Sequence, residues 1–184
     1  MPATKIMLLR HAEKPDGDGG PGLMPDGTQN PEALTALGWT RANALVGLFA
    51  SANEARPRPP LARPASLFAS GSQSLRPKQT IAPLATALNL SVTTFLKGRE
   101  AQLVAAVMAA EGPALISWQH EAIPEIATLI RGRADGVPPV WPGHRFDLLW
   151  VFDLQSDGTW SFVQSPQLLL PGDSAKPIGI GIGG

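Results

Sequence analysis

Short apolar runs alternate along this chain with longer segments in which apolar residues recur at helical spacing. Residues 5–9 (KIMLL), 66–70 (SLFAS) and 113–118 (PALISW) have the length and composition of buried strands. The segments between them repeat apolar side chains every three or four positions, as an amphipathic helix does. Alternating strands and helices predict a parallel sheet with right-handed crossover connections. The predicted helices cover residues 35–50, 77–88, 100–110 and a short segment from Pro124, and a further strand covers residues 91–96.

The last part of the sequence departs from this alternation. Residues 147–154 (DLLWVFDL) and 159–164 (TWSFVQ) are two apolar runs separated by QSDG, in which Asp-Gly indicates a tight turn. Two strands joined in this way form an antiparallel hairpin. We therefore expect an α/β fold, a three-layer sandwich whose mostly parallel central sheet ends in an antiparallel edge strand.

The length of the chain predicts its domain organisation. A chain of 184 residues can bury a core without disulfides or metals, so we expect one domain that spans residues 1–184. Residues 15–31 are rich in Gly, Pro and Asp, which predicts a surface insertion rather than a helix or a strand. The Gly-rich residues 172–184 are expected to form a tail that frays at its end.

The charge balance and the residue inventory argue against several classes of function. With 15 basic and 15 acidic residues, the chain has no net charge that would attract nucleic acid or an acidic membrane surface. It contains no cysteine and no tyrosine, which excludes thiolate catalysis and cysteine-based metal sites. No run approaches the roughly 20 apolar residues of a membrane span. We expect a soluble, cytoplasmic protein whose partners include neither nucleic acid nor membrane.

Polar side chains follow three of the predicted strands, at the points where the strands end. They are Arg10 and His11, the loop that ends in Arg76, and the pair His120 and Glu121. Because the carboxyl ends of parallel strands meet at one edge of a sheet, these side chains are expected to lie close together. Two guanidiniums and two imidazoles are costly to gather without an anion, and a tetrahedral phosphate can accept hydrogen bonds from all four. The sequence therefore predicts a phosphoryl group as the ligand.

The position of a proline adds an expectation for Arg76. A residue that precedes proline is disfavoured in the α region, so Arg76 before Pro77 is predicted to be extended at the mouth of the helix. A phosphate at that point would also meet the unpaired amide donors of the first helical turn.

Four blocks of the sequence, taken in order, match the pattern of a known family. LLRHAEKP (8–15) matches an Arg-His-Gly or Arg-His-Ala at the end of a first strand, and LTALGWTRA (34–42) matches a Leu-Thr-x-x-Gly-x-x-Gln-Ala helix start. SQSLRPKQTIAPLA (72–85) is similar to a Ser-x-x-x-Arg-x-x-Gln-Thr-Ala block, and LISWQHEAIP (115–124) contains a later histidine. In these blocks the chain resembles the histidine phosphatase (phosphoglycerate mutase-like) superfamily, in its short single-domain branch. The resemblance implies a phosphoglycerate mutase-like fold.

The resemblance also implies a role for each clustered residue. His11 would be the nucleophile that accepts the phosphoryl group, while Arg10, Arg76 and His120 would hold the phosphate oxygens. The side-chain chemistry agrees, because nearby guanidiniums oppose protonation of an imidazole and a hydrogen bond from its other nitrogen fixes the attacking tautomer. The implied activity is that of a phosphomonoesterase that works through a phosphohistidine and needs no metal or cofactor. Its substrate would be a phosphorylated small molecule or a phosphoprotein.

The sequence offers two carboxylates as the proton donor to the leaving group. Glu100 lies in the region where the mutases of the family place their acid, and Glu121 directly follows the later histidine, as an acidic residue does in the acid phosphatase and phytase branch. We favour Glu121. Glu13 is expected instead to orient its loop or to pair with Arg76 or Lys14.

Two other functions stay open at this stage. One is phosphoglycerate mutase-type phosphotransfer, although the chain is short and lacks the acid segment of the mutases. The other is a non-catalytic phosphate-binding regulator that keeps the pocket and has lost its acid. A zinc site is disfavoured because His120-Glu121 is not followed by a second histidine at helical spacing, and His144, which has no motif around it, is predicted to lie on the surface. The tryptophans that we expect to pack in the core are Trp118, Trp141, Trp150 and Trp160.

Overall fold

The computed structural model of the protein describes residues 2–50 and 57–180, which form a sheet covered by helices. The strands are β1 (Lys5–Arg10), β2 (Ser66–Ser70), β3 (Val92–Phe95), β4 (Ala114–Trp118), β5 (Leu148–Asp153) and β6 (Val163–Pro166). The helices are α1 (Ala36–Phe49), α2 (Arg76–Leu88), α3 (Glu100–Ala109) and α4 (Ile123–Arg131), and short 3₁₀ turns cover Gly17–Gly19 and His120–Ala122.

The strands form one mixed sheet in the order β3-β2-β4-β1-β5-β6. β1 pairs with β4, and β2 pairs with both β4 and β3, in parallel, whereas β5 is antiparallel to both β1 and β6. These pairings confirm the predicted α/β fold with its mostly parallel sheet and antiparallel edge. Since β2, β4 and β1 lie side by side and run in the same direction, their carboxyl ends lie at one edge of the sheet.

Helices cover both faces of the sheet, because successive side chains of a strand point to opposite faces. On β1, Ile6 and Leu8 pack into a core that includes residues of α3 and α4. Met7 and Leu9 pack with residues of α1 and α2 on the other face. All four side chains are fully buried. The result is the predicted three-layer sandwich, with β1 in the interior of its sheet.

Helix α2 begins earlier than the rule for residues before proline predicts. Arg76 is the first residue of the helix rather than extended before Pro77, so that prediction is wrong. The first turn is held by a hydrogen bond from Gln79 N to the Leu75 carbonyl at 3.0 Å. The Thr80 hydroxyl donates to the Arg76 carbonyl at 2.8 Å. Pro77 is tolerated there because its missing N–H would have no helical partner in a first turn.

Two further segments differ from the expectation. The polar residues after β4 do not form an irregular loop, since His120–Ala122 make a 3₁₀ turn that leads directly into α4. The last strand is shorter than predicted, because β6 covers Val163–Pro166 and Trp160 contributes only an isolated bridge to Leu154. The predicted turn between β5 and β6 is present, and Gly158 has a φ of +84°, which favours glycine.

The C-terminal segment is tied to the edge of the sheet as far as it is described. Ile178 is 8% exposed. Its backbone N–H donates to Gln164 Oε1 at 2.9 Å, and its carbonyl accepts from Gln164 Nε2 at 2.8 Å. The amide side chain of Gln164 thus pairs with the backbone as a neighbouring strand would. Residues 181–184, the end of the predicted tail, lie outside the described residues.

Residues 15–31, the predicted surface insertion, double back on themselves. Asn30 N donates to the Gly22 carbonyl at 2.9 Å. A Cβ at residue 22 would lie 2.1 Å from the Asn30 carbonyl oxygen, so this close approach requires glycine. The chain then reaches the start of α2, where the Glu32 carbonyl accepts from Leu75 N at 3.0 Å.

The tryptophans occupy the positions that the sequence predicts. Trp118, Trp141 and Trp150 are almost completely buried, and Trp160 packs partly buried against the same core. The rings of Trp141 and Trp150 lie 5.2 Å apart between centroids, an aromatic contact within the usual range.

The longest described helix is α1, with 14 residues. No helix within residues 2–50 and 57–180 combines the length and apolar character needed to cross a membrane.

Substitution of Leu8 tests how far the stability of the fold depends on the side chains buried against the sheet. Leu8→Ala removes a fully buried side chain and leaves a cavity, so we expect the free energy of unfolding to fall by about 2–5 kcal/mol. Leu96, which is 60% exposed, provides the matched control, and Leu96→Ala should change that free energy by about 0.5 kcal/mol or less. Urea denaturation measures both. Equal losses in the two variants would contradict the assigned core.

Candidate active site

The backbone brings His11 and His120 out of neighbouring strands at the same edge of the sheet. Arg10 is in register with Trp118, and His11 N donates to the Trp118 carbonyl at 3.0 Å. His120 follows Trp118 by two residues in the 3₁₀ turn. The parallel pairing of β1 with β4 is therefore what places the two imidazoles together.

Arg10 is a buried guanidinium held by backbone carbonyls and an aromatic ring. The residue is 1% exposed. Its Nη1 donates to the Gly143 carbonyl at 2.5 Å and to the Arg145 carbonyl at 3.1 Å, and its Cζ lies 3.9 Å from the centroid of the Phe146 ring. Its Nε and Nη2 are buried and have no hydrogen-bond partner among the described residues. The guanidinium is thus held in place through Nη1, and its other edge, formed by Nε and Nη2, can donate to an oxyanion.

The tautomer of His11 is set by the backbone. His11 is 3% exposed, and its Nδ1 lies 2.7 Å from the Ala12 carbonyl oxygen. A carbonyl can only accept, so Nδ1 carries the proton and Nε2 keeps its lone pair. Ala12 is itself anchored, because its backbone N–H donates to the Thr80 hydroxyl at 2.8 Å. This arrangement leaves the lone pair of Nε2 free of a proton.

Burial and charge keep His11 neutral. Burial, together with the positive charges of Arg10, Arg76 and His120, lowers the pKa of His11 to about 3. Burial also lowers the pKa of Arg10 to about 10, which leaves that guanidinium protonated at neutral pH. At pH 7 the site thus combines a neutral imidazole with a fixed positive charge.

Arg76 reaches the same site from the first turn of α2. Its Nη1 donates to the Pro31 carbonyl at 2.9 Å, and its Nη2 lies 3.6 Å from Glu32 Oε2. Its Nε is buried without a hydrogen-bond partner among the described residues. Burial lowers the pKa of Arg76, and its own charge in turn lowers the pKa values of Arg10 and His11. The charge of Arg76 thus acts on both Arg10 and His11, although the helix start differs from the expected one.

His120 and Glu121 form a pair at the more exposed side of the site. Nδ1 of His120 lies 3.4 Å from Glu121 Oε2, and their side chains are 21% and 57% exposed. Burial and the charge of Arg10 lower the pKa of His120. Burial opposes ionisation of Glu121, but a hydrogen bond from its own backbone N–H and the charges of His120 and Lys97 lower the pKa of this carboxyl overall. Glu121 is therefore ionised at neutral pH in the free protein.

The other two candidate carboxylates, Glu100 and Glu13, accept hydrogen bonds from other partners. Glu100, the alternative proton donor, is 4% exposed, and its Oε1 accepts from Trp118 Nε1 at 3.2 Å and from Gly98 N at 3.1 Å. Of the two roles expected for Glu13, pairing with Arg76 or Lys14 is not observed, because Arg41 donates to its Oε1 from Nε at 2.9 Å. The other, orientation of its loop, stays a prediction.

Sequence patterns missed the loop that holds Arg10. Residues 143–146 supply two backbone carbonyls and the Phe146 ring, and backbone acceptors leave no trace in a side-chain motif. Gly143 also packs on the later histidine, since a Cβ there would lie 3.6 Å from His120 Nε2. His144 is exposed, as predicted, and lines a cleft of about 190 Å³ beside Phe146.

A metal site would need a group of ligating side chains among the described residues. Residues 2–50 and 57–180 hold no group of three or more His, Asp or Glu side chains spaced to bind a metal ion.

Comparison with known proteins extends the fold assignment. No family model and no curated protein matches this sequence. Among solved structures, a mycobacterial hydrolase is similar with a TM-score of 0.58 and 14% identity, over 87% of this chain and 96% of that one. The protein histidine phosphatase SixA complexed with tungstate is similar with a TM-score of 0.55 and 16% identity, over 89% of this chain and 97% of that one. A mycobacterial glucosyl-3-phosphoglycerate phosphatase with inorganic phosphate is similar with a TM-score of 0.56 and 14% identity, over 88% of this chain and 95% of that one. The chain thus has the fold of the histidine phosphatases, which confirms the fold that the sequence blocks imply.

The depressed pKa of His11 can be tested by titration of its ring. In the unfolded chain the imidazole should gain its proton near pH 6.5, but in the folded protein only near pH 3. The unfolded state binds the proton first, so stability should fall as the pH drops from about 6.5 towards 3. Two-dimensional NMR of the folded protein should show no change in the His11 ring between pH 8 and pH 5. A midpoint near 6.5 in the folded protein would contradict the site.

Proposed function

We propose that this protein is a phosphomonoesterase that hydrolyses its substrate through a phosphohistidine on His11, without a metal. The observation that carries the proposal is the pairing of two features at one point. The buried Arg10 has a free edge of two N–H donors, and the neutral His11 beside it has a free Nε2. The first feature suits the oxygens of a phosphate, and the second suits attack on its phosphorus.

The phosphate would be held from several sides. Arg10 would donate from Nε and Nη2, Arg76 from Nε, and His120 from its ring. Further positive charge surrounds the site, since Lys14 and Lys97 both act on His120. A bound dianion would offset this charge, and the same donors would stabilise the charge on the equatorial oxygens in the transition state.

The reaction would proceed in two balanced displacements. In the first, Nε2 of His11 attacks phosphorus, the ester P–O bond breaks, and the leaving oxygen takes the bonding electron pair and a proton. The ring then carries a positive charge, which the hydrogen bond from Nδ1 to the Ala12 carbonyl stabilises. In the second, a water oxygen attacks phosphorus, a base takes its proton, and the P–N bond returns its electron pair to Nε2.

Glu121 is our candidate for the acid and the base. It is the carboxylate beside His120, and its charge acts on Arg10. It is ionised in the free protein, and a phosphate dianion close to it would raise its pKa towards that of a proton donor. Glu100 is less suited to the task, because its Oε1 is already an acceptor for Trp118 Nε1.

The similar structures support a phosphorylated substrate. One is described as a protein histidine phosphatase complexed with tungstate and another as a glucosyl-3-phosphoglycerate phosphatase with inorganic phosphate. Both descriptions name a tetrahedral oxyanion as the ligand. We propose a phosphorylated small molecule or a phosphoprotein as the substrate class.

Removal of the nucleophile tests the proposed activity. Wild-type protein should hydrolyse p-nitrophenyl phosphate in the presence of EDTA, and His11→Ala should lower kcat by roughly 10³-fold or more because no phosphoenzyme can form. Intact-protein mass spectrometry after mixing with substrate should show one acid-labile phosphate on the wild type. Gln155→Ala, at an exposed residue of the turn between β5 and β6, is the control and should keep both signals.

Three outcomes would count against this function. Undiminished turnover by His11→Ala would exclude the nucleophile. Tight binding of vanadate without turnover of any monoester would favour the non-catalytic regulator. Transfer of phosphate between the positions of phosphoglycerate, rather than release to water, would favour the mutase alternative.

The role of Glu121 can be separated from that of a surface charge by varying the leaving group. Glu121→Gln should slow hydrolysis of an alkyl phosphate by about 10²- to 10⁴-fold, because the alkoxide needs a proton. Hydrolysis of p-nitrophenyl phosphate should suffer much less, since p-nitrophenolate leaves without one. Glu125→Gln, one turn later on α4 and also exposed, should affect neither substrate. Equal losses on both substrates would contradict the acid role.

A further inference from the structure

A second buried arginine lies behind the loop that carries His11. Arg41 is on α1, where the matched family pattern has Gln, and only 4% of the residue is exposed. It donates from Nε to Glu13 Oε1 at 2.9 Å, and from Nη1 and Nη2 to the two carboxylate oxygens of Asp173 at 3.0 and 2.7 Å. Nη1 also donates to Gln167 Oε1 at 2.9 Å. One guanidinium therefore joins three parts of the chain: helix α1, the His11 loop and the C-terminal segment.

The C-terminal end of this network is fixed independently of Arg41. Oδ2 of Asp173 accepts from Leu169 N at 2.8 Å and from Leu170 N at 3.1 Å, so its carboxylate is held by the backbone. Gln167 N donates to the Asp147 carbonyl at 2.8 Å, which ties the segment to the start of β5. Arg41 thus has a rigid anchor on the side away from His11.

The other end of the network reaches the residue that follows the carbonyl hydrogen-bonded to His11. The Ala12 carbonyl that accepts from His11 Nδ1 belongs to the peptide unit that joins Ala12 to Glu13. Glu13 is held at its carbonyl by Thr35 N at 3.0 Å and at its carboxylate by Arg41. Glu13 is thus held at its backbone carbonyl and at its side chain. These two contacts limit the rotation of the peptide unit that joins it to Ala12.

We propose that Arg41 is a positioning residue for His11: it clamps Glu13 to Asp173 and so orients the Ala12 carbonyl that selects the nucleophilic tautomer. This inference rests on the proposed function for its kinetic consequence only. The effect on the tautomer is a property of the free protein and does not require turnover.

The charge and the planar shape of its guanidinium suit Arg41 to holding Glu13 and Asp173 together. Two carboxylates, with side chains 13% and 4% exposed, share one guanidinium, and its planar fork serves both at once. Arg41→Met would leave Glu13 and Asp173 without their shared cation, which destabilises a buried group as well as freeing the loop. A test therefore needs a control that loses a similar ion pair elsewhere.

Lys5 provides this control at the opposite end of β1. Its Nζ lies 2.5 Å from Asp153 Oδ1 and donates to the Pro60 carbonyl at 2.8 Å. Lys5→Met therefore also removes a cation from a partly buried ion pair, at the end of the strand away from His11.

The experiment compares Arg41→Met, Arg41→Lys, Asp173→Asn and Lys5→Met with the wild type, each assayed well below its unfolding temperature. For Arg41→Met and Asp173→Asn we expect kcat for p-nitrophenyl phosphate to fall by roughly 10- to 100-fold, with KM changed by about threefold or less. Arg41→Lys should recover part of kcat, because it keeps the charge. Lys5→Met should keep kcat. Long-range ¹⁵N–¹H NMR should show the Nδ1–H tautomer of His11 in the wild type and in Lys5→Met, and a mixture of tautomers in Arg41→Met.

The readouts keep the positioning role distinct from simple stability and from the proposed function. If Lys5→Met loses as much kcat as Arg41→Met, or if folded Arg41→Met and Asp173→Asn keep both kcat and the tautomer, the inference is wrong. Should Arg41→Met fail to fold, Asp173→Asn decides, because it removes one charge and keeps the shape. A wild type without turnover would end the proposed function, and the NMR comparison would still decide the role of Arg41.

Discussion

The placement of Arg10 at the carboxyl end of β1 is the constraint on which the rest of the site depends. A guanidinium at 1% exposure is costly, and each donor that is paired and each face that is covered offsets part of that cost. Here two backbone carbonyls take one Nη and the Phe146 ring covers the face, so the remaining donors point in a fixed direction. The same charge helps to keep His11 neutral, and the loop of residues 143–146 supplies both carbonyls that hold Arg10.

The parts of the site that the sequence could predict are those that follow from strand direction. Apolar runs that end in Arg10-His11 and in Trp118-Gln119-His120 indicate two strands, and parallel pairing then places their ends at one edge whatever the connections between them. The pattern of Ile6, Met7, Leu8 and Leu9 likewise predicts helices on both faces, since a strand that is apolar at every position must be buried on both sides. No long-range contact had to be known for either step.

The remaining parts depend on contacts between distant residues that carry no local pattern. Arg41 and Asp173 lie 132 positions apart, and any of 15 acidic residues could have been the partner of that arginine. The acceptors of Arg10 are carbonyls, which every residue has. Arg76 was misassigned for a different reason: the preference of a residue before proline is a weak local bias, and the hydrogen bonds of Leu75 and Thr80 outweigh it.

The ion pairs of the protein explain why Arg10 keeps its charge free. Glu13 follows Arg10 by three residues and could in principle have paired with it, which would have neutralised the guanidinium. Arg41 holds that carboxylate instead, and Arg10 makes no ion pair within residues 2–50 and 57–180. A buried guanidinium without an ion pair lowers the stability of the free protein, and an oxyanion bound there would restore it in proportion to its affinity. Arg41 therefore binds two carboxylates, one of which could have paired with Arg10, and the unpaired Arg10 makes the carboxyl edge of the sheet less stable than it could be.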